Sequence, residues 1–179
     1  MDADIVLRPF QAGDSAQLHQ AVRESLQELK PWMSWATENY TELSAQGYIA
    51  ITQARWQERT LFAFAIMQNN ELLGGCTLSS IHPIYHFCNV GYWVRTDKRG
   101  QGIAGRAAKL AARFAFENVG LVRAEIVIAL DNMASRRVAE KIGAHYEGIL
   151  LNRMIVGTAV CDAHMYSLLP SDFGLAARL

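Results

Sequence analysis

Two kinds of spacing between hydrophobic residues alternate along the chain, and they predict its elements in order. Apolar residues at every second position predict a short strand in "IVLRPF", and the amphipathic stretch "GDSAQLHQAVRESLQEL" predicts a helix capped by Asp14 or Ser15. A second helix is predicted from about Thr41. Further along, two apolar runs flank Asn69 and Asn70, whose tolerance of positive φ predicts a hairpin.

The second half of the chain continues with strands and helices in alternation. "FCNVGYWVR" predicts a strand, residues 102–118 predict a helix, and "VRAEIVIAL" predicts another strand. A short helix is predicted to end at Gly143, and Gly157 is the predicted turn of a final hairpin. The apolar stripe of the long helix consists of Ile103, Ala107, Leu110, Ala111 and Phe114. The resulting order, β-α-α-β-β-β-α-β-α-β-β, predicts an α/β fold with a partly antiparallel sheet whose faces are covered by helices.

Composition places the chain among folded globular proteins. Apolar residues make up 51% and charged residues 19% of its 179 residues, which excludes a disordered chain and predicts one domain spanning residues 1–179. Because 17 Lys and Arg balance 17 Asp and Glu, the broad basic field of a nucleic-acid-binding protein is missing. No apolar run approaches the roughly 18 residues of a membrane helix, and the acidic start "MDADIVLRPF" lacks the positive charge of a signal peptide. We therefore expect a cytoplasmic protein that binds neither membrane nor nucleic acid directly.

Neither the cysteines nor the histidines are spaced as metal ligands. The cysteines are odd in number, far apart and set in apolar, strand-like sequence: Cys76, Cys88 and Cys161. They are predicted to be buried free thiols. His82 and His86 are the two histidines that lie close together, and Pro83 excludes the helix that would bring them onto one face. The sequence therefore predicts no metal site.

A basic, glycine-rich turn precedes the long helix. In "DKRGQGIAG" the glycines let a ligand approach the backbone, and Lys98 and Arg99 add positive charge beside the helix N-terminus. This pattern predicts an anion-binding site, and a flexible turn is the alternative. The string Gly-x-x-x-x-Gly-Lys-Ser/Thr of a P-loop is absent. The dinucleotide fingerprint Gly-x-Gly-x-x-Gly is present. In dinucleotide-binding folds, however, it lies in the first strand–helix unit, whereas several strands precede it here.

The turn and its neighbours resemble a known superfamily. "RGQGIA" fits Arg/Gln-x-x-Gly-x-Gly/Ala and resembles the pyrophosphate motif of the GNAT N-acetyltransferases, while "VGYWV" and "DNMASRRVAEKIGA" are similar to their fourth strand and fourth helix. More narrowly, "KPWMSWA" and "HMYSLL" resemble the RimJ/RimL-type ribosomal-protein N-terminal acetyltransferases. The resemblance implies a mixed, mostly antiparallel sheet of about seven strands with four flanking helices. It also implies that strands four and five splay apart, and it leaves a homodimer open.

The resemblance further implies a site for acetyl-coenzyme A (acetyl-CoA), used as co-substrate without a metal. The implied cofactor-binding residues are Trp93, Val94, Arg99, Gly100, Gln101, Gly102, Ile103, Ala104, Gly105, Asn132 and Ser135. In this set the amides of the glycine turn hold the pyrophosphate beside Arg99, and Trp93 and Val94 pair with the pantetheine arm. Asn132 hydrogen-bonds the same arm, and Ser135, one turn further along, faces the thiol. The alternative for Asn132 is a helix cap, and the alternative for Ser135 is a surface residue.

The implied reaction is direct attack of a neutral amine on the thioester. A backbone N–H of the strand that contains Val94 is the expected oxyanion donor, and Ser135 is the catalytic candidate at the leaving thiolate. The glutamate that relatives use as a base falls on Met154, and Asn89 stands where many relatives carry a carboxylate; neither can take a proton. The remaining titratable candidates are His82, His86, Glu147 and His164. The alternative is that no dedicated base exists, since an α-amine has a pKa of about 8.

Three functions remain open at the level of the sequence. The first is an N-terminal acetyltransferase acting on the α-amine of a protein, such as a ribosomal protein, or of a peptide. The segment "KPWMSWATENY" would then form one wall of the acceptor groove, and plain packing is its alternative. The second is a small-molecule amine acetyltransferase acting on an antibiotic, a polyamine or an amino acid. The third is a non-catalytic acetyl-CoA-binding module, which the missing glutamate favours.

Overall fold

Strands from along the whole chain contribute to the central sheet. A computed structural model describes residues 4–177, and its strands are β1 (Val6–Pro9), β2 (Phe62–Gln68), β3 (Glu71–Ser79), β4 (Phe87–Val94), β5 (Arg123–Ala129), β6 (His145–Val156) and β7 (Ala159–Leu168). The helices are α1 (Ser15–Glu24), α2 (Leu26–Leu29), α3 (Glu42–Gln57), α4 (Ile103–Phe114) and α5 (Met133–Lys141). The strands form one mixed sheet in the order β1-β2-β3-β4-β5-β7-β6. This confirms the predicted α/β class and, apart from a break in the first predicted helix, the predicted order of elements. No helix within residues 4–177 is long and apolar enough to span a membrane.

The first predicted helix is broken in the structure. The chain forms α1 and α2 instead, separated at Ser25, whose backbone leaves helical geometry at φ −108° and ψ 9°. The side chain of Ser25 is buried, and its Oγ accepts a hydrogen bond from the backbone N–H of Thr96 at 3.1 Å. A local helical pattern cannot reveal such a distant partner. The four expected helices are therefore five α-helices in the described part of the chain.

Strands β4 and β5 run parallel but pair over a short stretch. Residues 87–89 of β4 pair with residues 123–125 of β5. Beyond this point β4 stays paired with β3 as far as Val94, and β5 stays paired with β7 as far as Ala129. The two strands therefore diverge and leave their facing edges unpaired, which confirms the expected splay.

Apolar clusters cover both faces of the sheet, and α4 packs on one of them mainly through small residues. Its buried residues are Ile103, Gly105, Ala107, Ala108, Ala111 and Ala112. Leu110, which was predicted to lie on the buried stripe, is 42% exposed. The prediction was wrong because the alanines set the side of the helix that approaches the sheet, and Leu110 lies at the edge of that side.

The predicted turns have the expected backbone conformations. Asn69 and Asn70 adopt φ of 48° and 64° between β2 and β3, and Gly157 adopts φ of 61° between β6 and β7. Gly143, after α5, has φ of 79°. These left-handed conformations are those that Asn and Gly tolerate best, so the turn residues fix where each element ends.

Two of the three cysteines are buried as predicted. Cys76 and Cys88 are fully buried free thiols, and burial raises the pKa of each to about 12. Cys161 is also free, but it is partly exposed, which corrects the prediction. The reason is its position in β7 close to the turn at Gly157, where the β6–β7 hairpin extends away from the core.

Candidate active site

The unpaired edges of β4 and β5 open onto a cavity of about 680 Å³, which we call the large cavity. Its walls come from these two strands, from the first turns of α4 and α5, and from α2. The expected cofactor-binding residues that line it are Trp93, Val94, Arg99, Gly100, Gly102, Ile103, Ala104, Gly105, Asn132 and Ser135. Gln101, the remaining expected residue, is exposed and lies outside the lining.

The glycine turn presents open backbone to the large cavity. Gly100 and Gly102 adopt φ of 78° and 73°, a left-handed conformation that other residues rarely adopt. A β-carbon at either position would meet no atom within 4 Å, so packing does not require glycine there. Gly102 is the N-cap of the 12-residue helix α4, and no side chain in the described structure caps it. The first amides of α4 are therefore free to bind an anion.

Four positively charged side chains line the large cavity, although the chain as a whole is neutral: Lys98, Arg99, Arg137 and Lys141. Glu28 is the only carboxylate among the lining residues, and its Oε2 accepts a hydrogen bond from Thr96 Oγ1 at 2.9 Å. Lys98 is ion-paired with Glu71 at 2.9 Å, so the positive local field comes mainly from Arg99, Arg137 and Lys141. The sequence alone pointed to Lys98 and Arg99. The spacing of Arg137 and Lys141, four residues apart on α5, is the signal that could have revealed the second basic wall.

Gly105 has a different reason to be glycine. A β-carbon at this position would lie 2.7 Å from Cγ2 of Ile142, which follows α5. The glycine therefore lets α4 and α5 pack closely together. Its backbone lines the large cavity, but the helix contact explains its identity.

Asn132 and Ser135 lie together at the start of α5. Asn132 is the N-cap, and its Oδ1 accepts a hydrogen bond from the backbone N–H of Ser135 at 3.1 Å, so the cap is present. The Oγ of the half-buried Ser135 lies 3.0 Å from the hydroxyl of Tyr92. Burial raises the pKa of Tyr92 to about 12, so this hydroxyl keeps its proton at neutral pH. The sequence did not single out Tyr92, because the two partners are 43 residues apart.

Asn89 carries an unsatisfied hydrogen-bond acceptor. Its Oδ1 is buried and has no partner among the described residues. Asn89 is the last residue of β4 that pairs with β5, opposite Glu125, and it lines the large cavity. A buried oxygen without a partner costs roughly 1–3 kcal/mol. This atom is therefore available to a donor group of a ligand.

A bulge in β6 brings Met154 to the large cavity. The pairing of β6 with β7 skips from Leu150 to Met154, and Asn152 between them adopts φ of 50°. The backbone N–H of Asn152 donates to Oδ1 of Asp162 at 2.8 Å, which holds the bulge. Met154 thus lies on the cavity wall, where its thioether can only be a weak acceptor.

A second cavity of about 470 Å³ lies between α3 and the β3–β4 face of the sheet, and we call it the aromatic cavity. Part of its wall is the segment between α2 and α3, through Trp35 and Tyr40. The ring of Trp35 packs against those of Trp93 and Tyr40, with centroids 6.1 Å and 6.0 Å away. The residues shared by the two cavities are Met33, Gly91, Tyr92 and Trp93. The cavities therefore meet at β4, close to the point where it diverges from β5.

The titratable candidates for a base line neither cavity: His82, His86, Glu147 and His164. Glu147 accepts a hydrogen bond from Arg123 at 2.7 Å, and this contact lowers its pKa to about 2. His164 is buried, with its Nδ1 3.3 Å from the hydroxyl of Tyr146. Within residues 4–177 no three or more His, Cys, Asp or Glu residues are grouped so that they could hold a metal ion.

Known proteins resemble this chain in sequence. The sequence model of the family described as "Acetyltransferase (GNAT) domain" matches residues 4–145. YdaF of Bacillus subtilis (strain 168), whose name assigns it provisionally to the ribosomal N-acetyltransferases, is 27% identical over 171 residues that cover 94% of this chain and 93% of YdaF. The ribosomal-protein-serine acetyltransferase of Escherichia coli (strain K12) is 25% identical over 154 residues, 84% of each chain.

A solved structure is similar in fold. RimJ of Mycobacterium smegmatis, in complex with CoA-disulfide, matches with a TM-score of 0.87 and 24% identity over 97% of this chain and 85% of that one. At this identity the likeness concerns the arrangement of strands and helices.

Proposed function

Because the chain belongs to the GNAT acetyltransferase family and is an acyltransferase, we propose that it transfers the acetyl group of acetyl-CoA to the N-terminal α-amine of a ribosomal protein. The observation that carries this proposal is the meeting of two cavities at β4, one basic and beside the glycine turn, the other aromatic. The names of YdaF and of the Escherichia coli relative, which both refer to ribosomal proteins, support this choice of acceptor.

The residues that line the large cavity fit acetyl-CoA. The free amides that follow Gly102 suit the pyrophosphate, and Arg99, Arg137 and Lys141 add positive charge for its phosphate groups. The edge of β4 from Val90 to Val94, unpaired on the side of β5, offers backbone groups to the amides of the pantetheine arm. When bound, acetyl-CoA supplies the acetyl group as an activated thioester.

Ser135 is proposed as the catalytic residue at the sulfur. Its hydroxyl and that of Tyr92 form one hydrogen-bonded pair, and burial keeps the Tyr92 hydroxyl protonated at neutral pH. Such a pair can donate to an atom on which negative charge develops. A backbone N–H on the unpaired edge of β4, near Val94, is proposed as the donor to the carbonyl oxygen.

Asn89 is proposed to orient the amine. Its buried Oδ1 can accept a hydrogen bond from an amine N–H, which would give this oxygen a partner. None of the residues shared by the two cavities is an Asp, Glu or His, and we therefore propose that the amine arrives neutral. The rate is therefore expected to rise with pH as the acceptor loses its proton, around pH 8 for an α-amine.

The proposal is tested by incubating the purified protein with acetyl-CoA and a panel of amines while CoA release is followed. Peptides with the N-terminal sequences of ribosomal proteins are expected to support release, and the same peptides with a blocked N-terminus are not. Release with spermidine or amine-containing antibiotics alone would favour the second candidate, a small-molecule acetyltransferase, for which the aromatic cavity of about 470 Å³ has room. Binding of acetyl-CoA without release of CoA for any amine would favour the third candidate, a non-catalytic acetyl-CoA-binding module. Met154, which stands in place of the expected glutamate, supports that candidate.

A further inference from the structure

Gly47 lies in the interior of α3, where glycine is among the least favourable residues. Two structural reasons for such a glycine are lack of room for a side chain and a left-handed backbone. Neither applies, because a β-carbon at Gly47 would meet no atom within 4 Å and the backbone is helical. Gly47 does, however, line the aromatic cavity. The missing side chain leaves space in that cavity.

The aromatic cavity is bounded by one side of α3 and by a floor of small residues on the sheet. The α3 residues follow helical spacing: Ser44, Gly47, Tyr48 and Ile51. On the floor, a β-carbon at Gly75 would lie 2.7 Å from Nε1 of Trp93. The indole of Trp93 can therefore lie over β3 only because residue 75 is glycine. Gly47 thus leaves the cavity open on the α3 side, and Gly75 makes room for the Trp93 indole that forms part of the opposite wall.

The lining of the aromatic cavity is neutral. It contains no Asp, Glu, Lys, Arg or His. Burial raises the pKa of Tyr40 to about 12, so its hydroxyl is uncharged as well. A positively charged group on the acceptor would lose water here without meeting an opposite charge, which is unfavourable. An apolar or aromatic group would instead contact the rings of Trp35, Trp93 and Tyr40.

We propose that the aromatic cavity binds an uncharged apolar or aromatic group carried next to the amine of the acceptor, and that Gly47 determines this specificity by leaving room for the group. The inference rests on the proposed function, since the amine has to reach the place where the cavities meet, at residues 91–93. In a peptide the group is the side chain of the N-terminal residue. In a small amine it is the ring or alkyl body.

The test compares acceptors that differ in this group. The probes are tetrapeptide amides that begin with Phe or with Gly and are otherwise identical, together with 2-phenylethylamine and spermidine. Burial of an aromatic group is expected to give the Phe peptide a kcat/KM about tenfold or more above that of the Gly peptide. The same preference is expected for 2-phenylethylamine over spermidine. The ratio between the Phe peptide and 2-phenylethylamine then identifies a peptide or a small molecule as the source of the group.

Gly47→Leu places a side chain in the cavity. Its kcat/KM for the Phe peptide is expected to fall about tenfold more than that for the Gly peptide. Its Tm is expected to rise by about 2–4 °C, because Leu is favoured over Gly in a helix. Ala54→Leu is the matched control, since Ala54 continues the same side of α3 beyond Ile51 but lies outside the lining of the cavity. It should leave the preference for the Phe peptide unchanged. A purely structural role of Gly47 would change Tm without changing that preference.

Equal kcat/KM for the Phe and Gly peptides, or an unchanged preference in Gly47→Leu, overturns this inference and leaves acetyl transfer in place. CoA release with none of the probes and with none of the ribosomal-protein peptides overturns the proposed function instead. In that case 2-phenylethylamine is still expected to quench the fluorescence of Trp35 and Trp93, with an affinity about tenfold lower in Gly47→Leu than in the unmodified chain. Unchanged quenching in the variant overturns the inference as well.

Discussion

Gly102 combines a left-handed backbone with open space in front of the N-terminus of α4. A side chain at this residue would occupy the space that the pyrophosphate is proposed to fill. Gly102→Val is therefore expected to raise the Kd of acetyl-CoA about tenfold or more, measured by calorimetry. The left-handed conformation also costs an ordinary residue about 1–2 kcal/mol of folding free energy, so the variant should be less stable.

The variant Gly120→Val distinguishes the effect of backbone strain from the effect of blocked space at the cofactor site. Gly120 has φ of 83°, a β-carbon there would also meet nothing within 4 Å, and the residue lies outside the lining of both cavities. It should lose about 1–2 kcal/mol of stability, like Gly102→Val, without weaker cofactor binding. Equal losses of affinity in the two variants would mean that strain, and not blocked space, is responsible. Unchanged affinity in a folded Gly102→Val protein would contradict the assignment of the glycine turn.

The role of Ser135 is tested by Ser135→Ala, which keeps the backbone N–H that Asn132 caps. A hydrogen bond to a charged group is worth about 1.5–3 kcal/mol, so kcat is expected to fall roughly ten- to a hundredfold with little change in the Kd of acetyl-CoA. Tyr92→Phe should also lower kcat, and the double variant should lose less than the sum of the two single effects, because the hydroxyls act as a pair. An unchanged kcat in Ser135→Ala would make Ser135 a surface helix residue.

Asn89 allows function and stability to be separated at one atom. Asn89→Leu removes the buried oxygen that has no partner in the described chain. The fold should be as stable or more stable, because a buried unsatisfied group disappears. At the same time kcat/KM for the acceptor should fall roughly three- to tenfold, the value of one neutral hydrogen bond. Steady-state kinetics measure the expected fall in kcat/KM, and urea unfolding measures the expected unchanged or higher stability. A loss of stability without a change in kcat/KM would contradict the proposed contact with the amine.

At the scale of elements, Arg123 and Glu147 connect the start of β5 to the start of β6 across β7. The hydrogen bond from Arg123, and a second from Ser167 Oγ, keep the pKa of Glu147 at about 2, below its unfolded value of 4.5. A carboxyl with a lowered pKa adds stability above its unfolded pKa and loses it as the pH falls through the folded one. Glu147→Gln should therefore lower the free energy of unfolding at pH 7, and the difference should fade between about pH 4.5 and 2.

The expected loss for Glu147→Gln at pH 7 is about 1–2 kcal/mol, less than the shift alone implies, because the side chain is 37% exposed. Urea unfolding at several pH values measures it. Glu117→Gln is the matched control, since Glu117 forms an exposed pair with Arg113 within one helical turn. This control should lose less than about 0.5 kcal/mol at any pH. A difference between Glu147→Gln and the unmodified chain that stays constant down to pH 2 would contradict the role of the ion pair.

Local patterns were sufficient for the elements and insufficient for the contacts between them. Hydrophobic spacing and turn residues gave the order of strands and helices, because each depends on neighbours in sequence. The break at Ser25 was missed, since the partner of the buried Ser25 side chain is the backbone N–H of the distant Thr96. The pairing of Tyr92 with Ser135 and the second basic wall at Arg137 likewise depend on residues from different elements.

At the scale of the whole molecule, charged side chains are unevenly distributed between the two cavities, although the net charge of the chain is zero. Positive side chains collect at the large cavity, whereas the aromatic cavity on the other side of β4 carries no charged residue. This arrangement suits an anionic cofactor in one cavity and an uncharged part of an acceptor in the other. Family resemblance identified the first cavity from the sequence, because its glycine motif is local. The neutrality of the second follows from residues spread between Leu18 and Trp93, which no local motif joins.

The central claim is acetyl transfer from the large cavity to the N-terminus of a ribosomal protein, and mass spectrometry of ribosomal proteins with free N-termini tests it most directly. After incubation with this chain and acetyl-CoA, at least one protein is expected to carry an acetyl group on its N-terminal residue. The modification should require acetyl-CoA and be reduced about tenfold or more by Gly102→Val and by Ser135→Ala. If the unmodified chain binds acetyl-CoA but no N-terminus becomes acetylated, the account of the acceptor is contradicted.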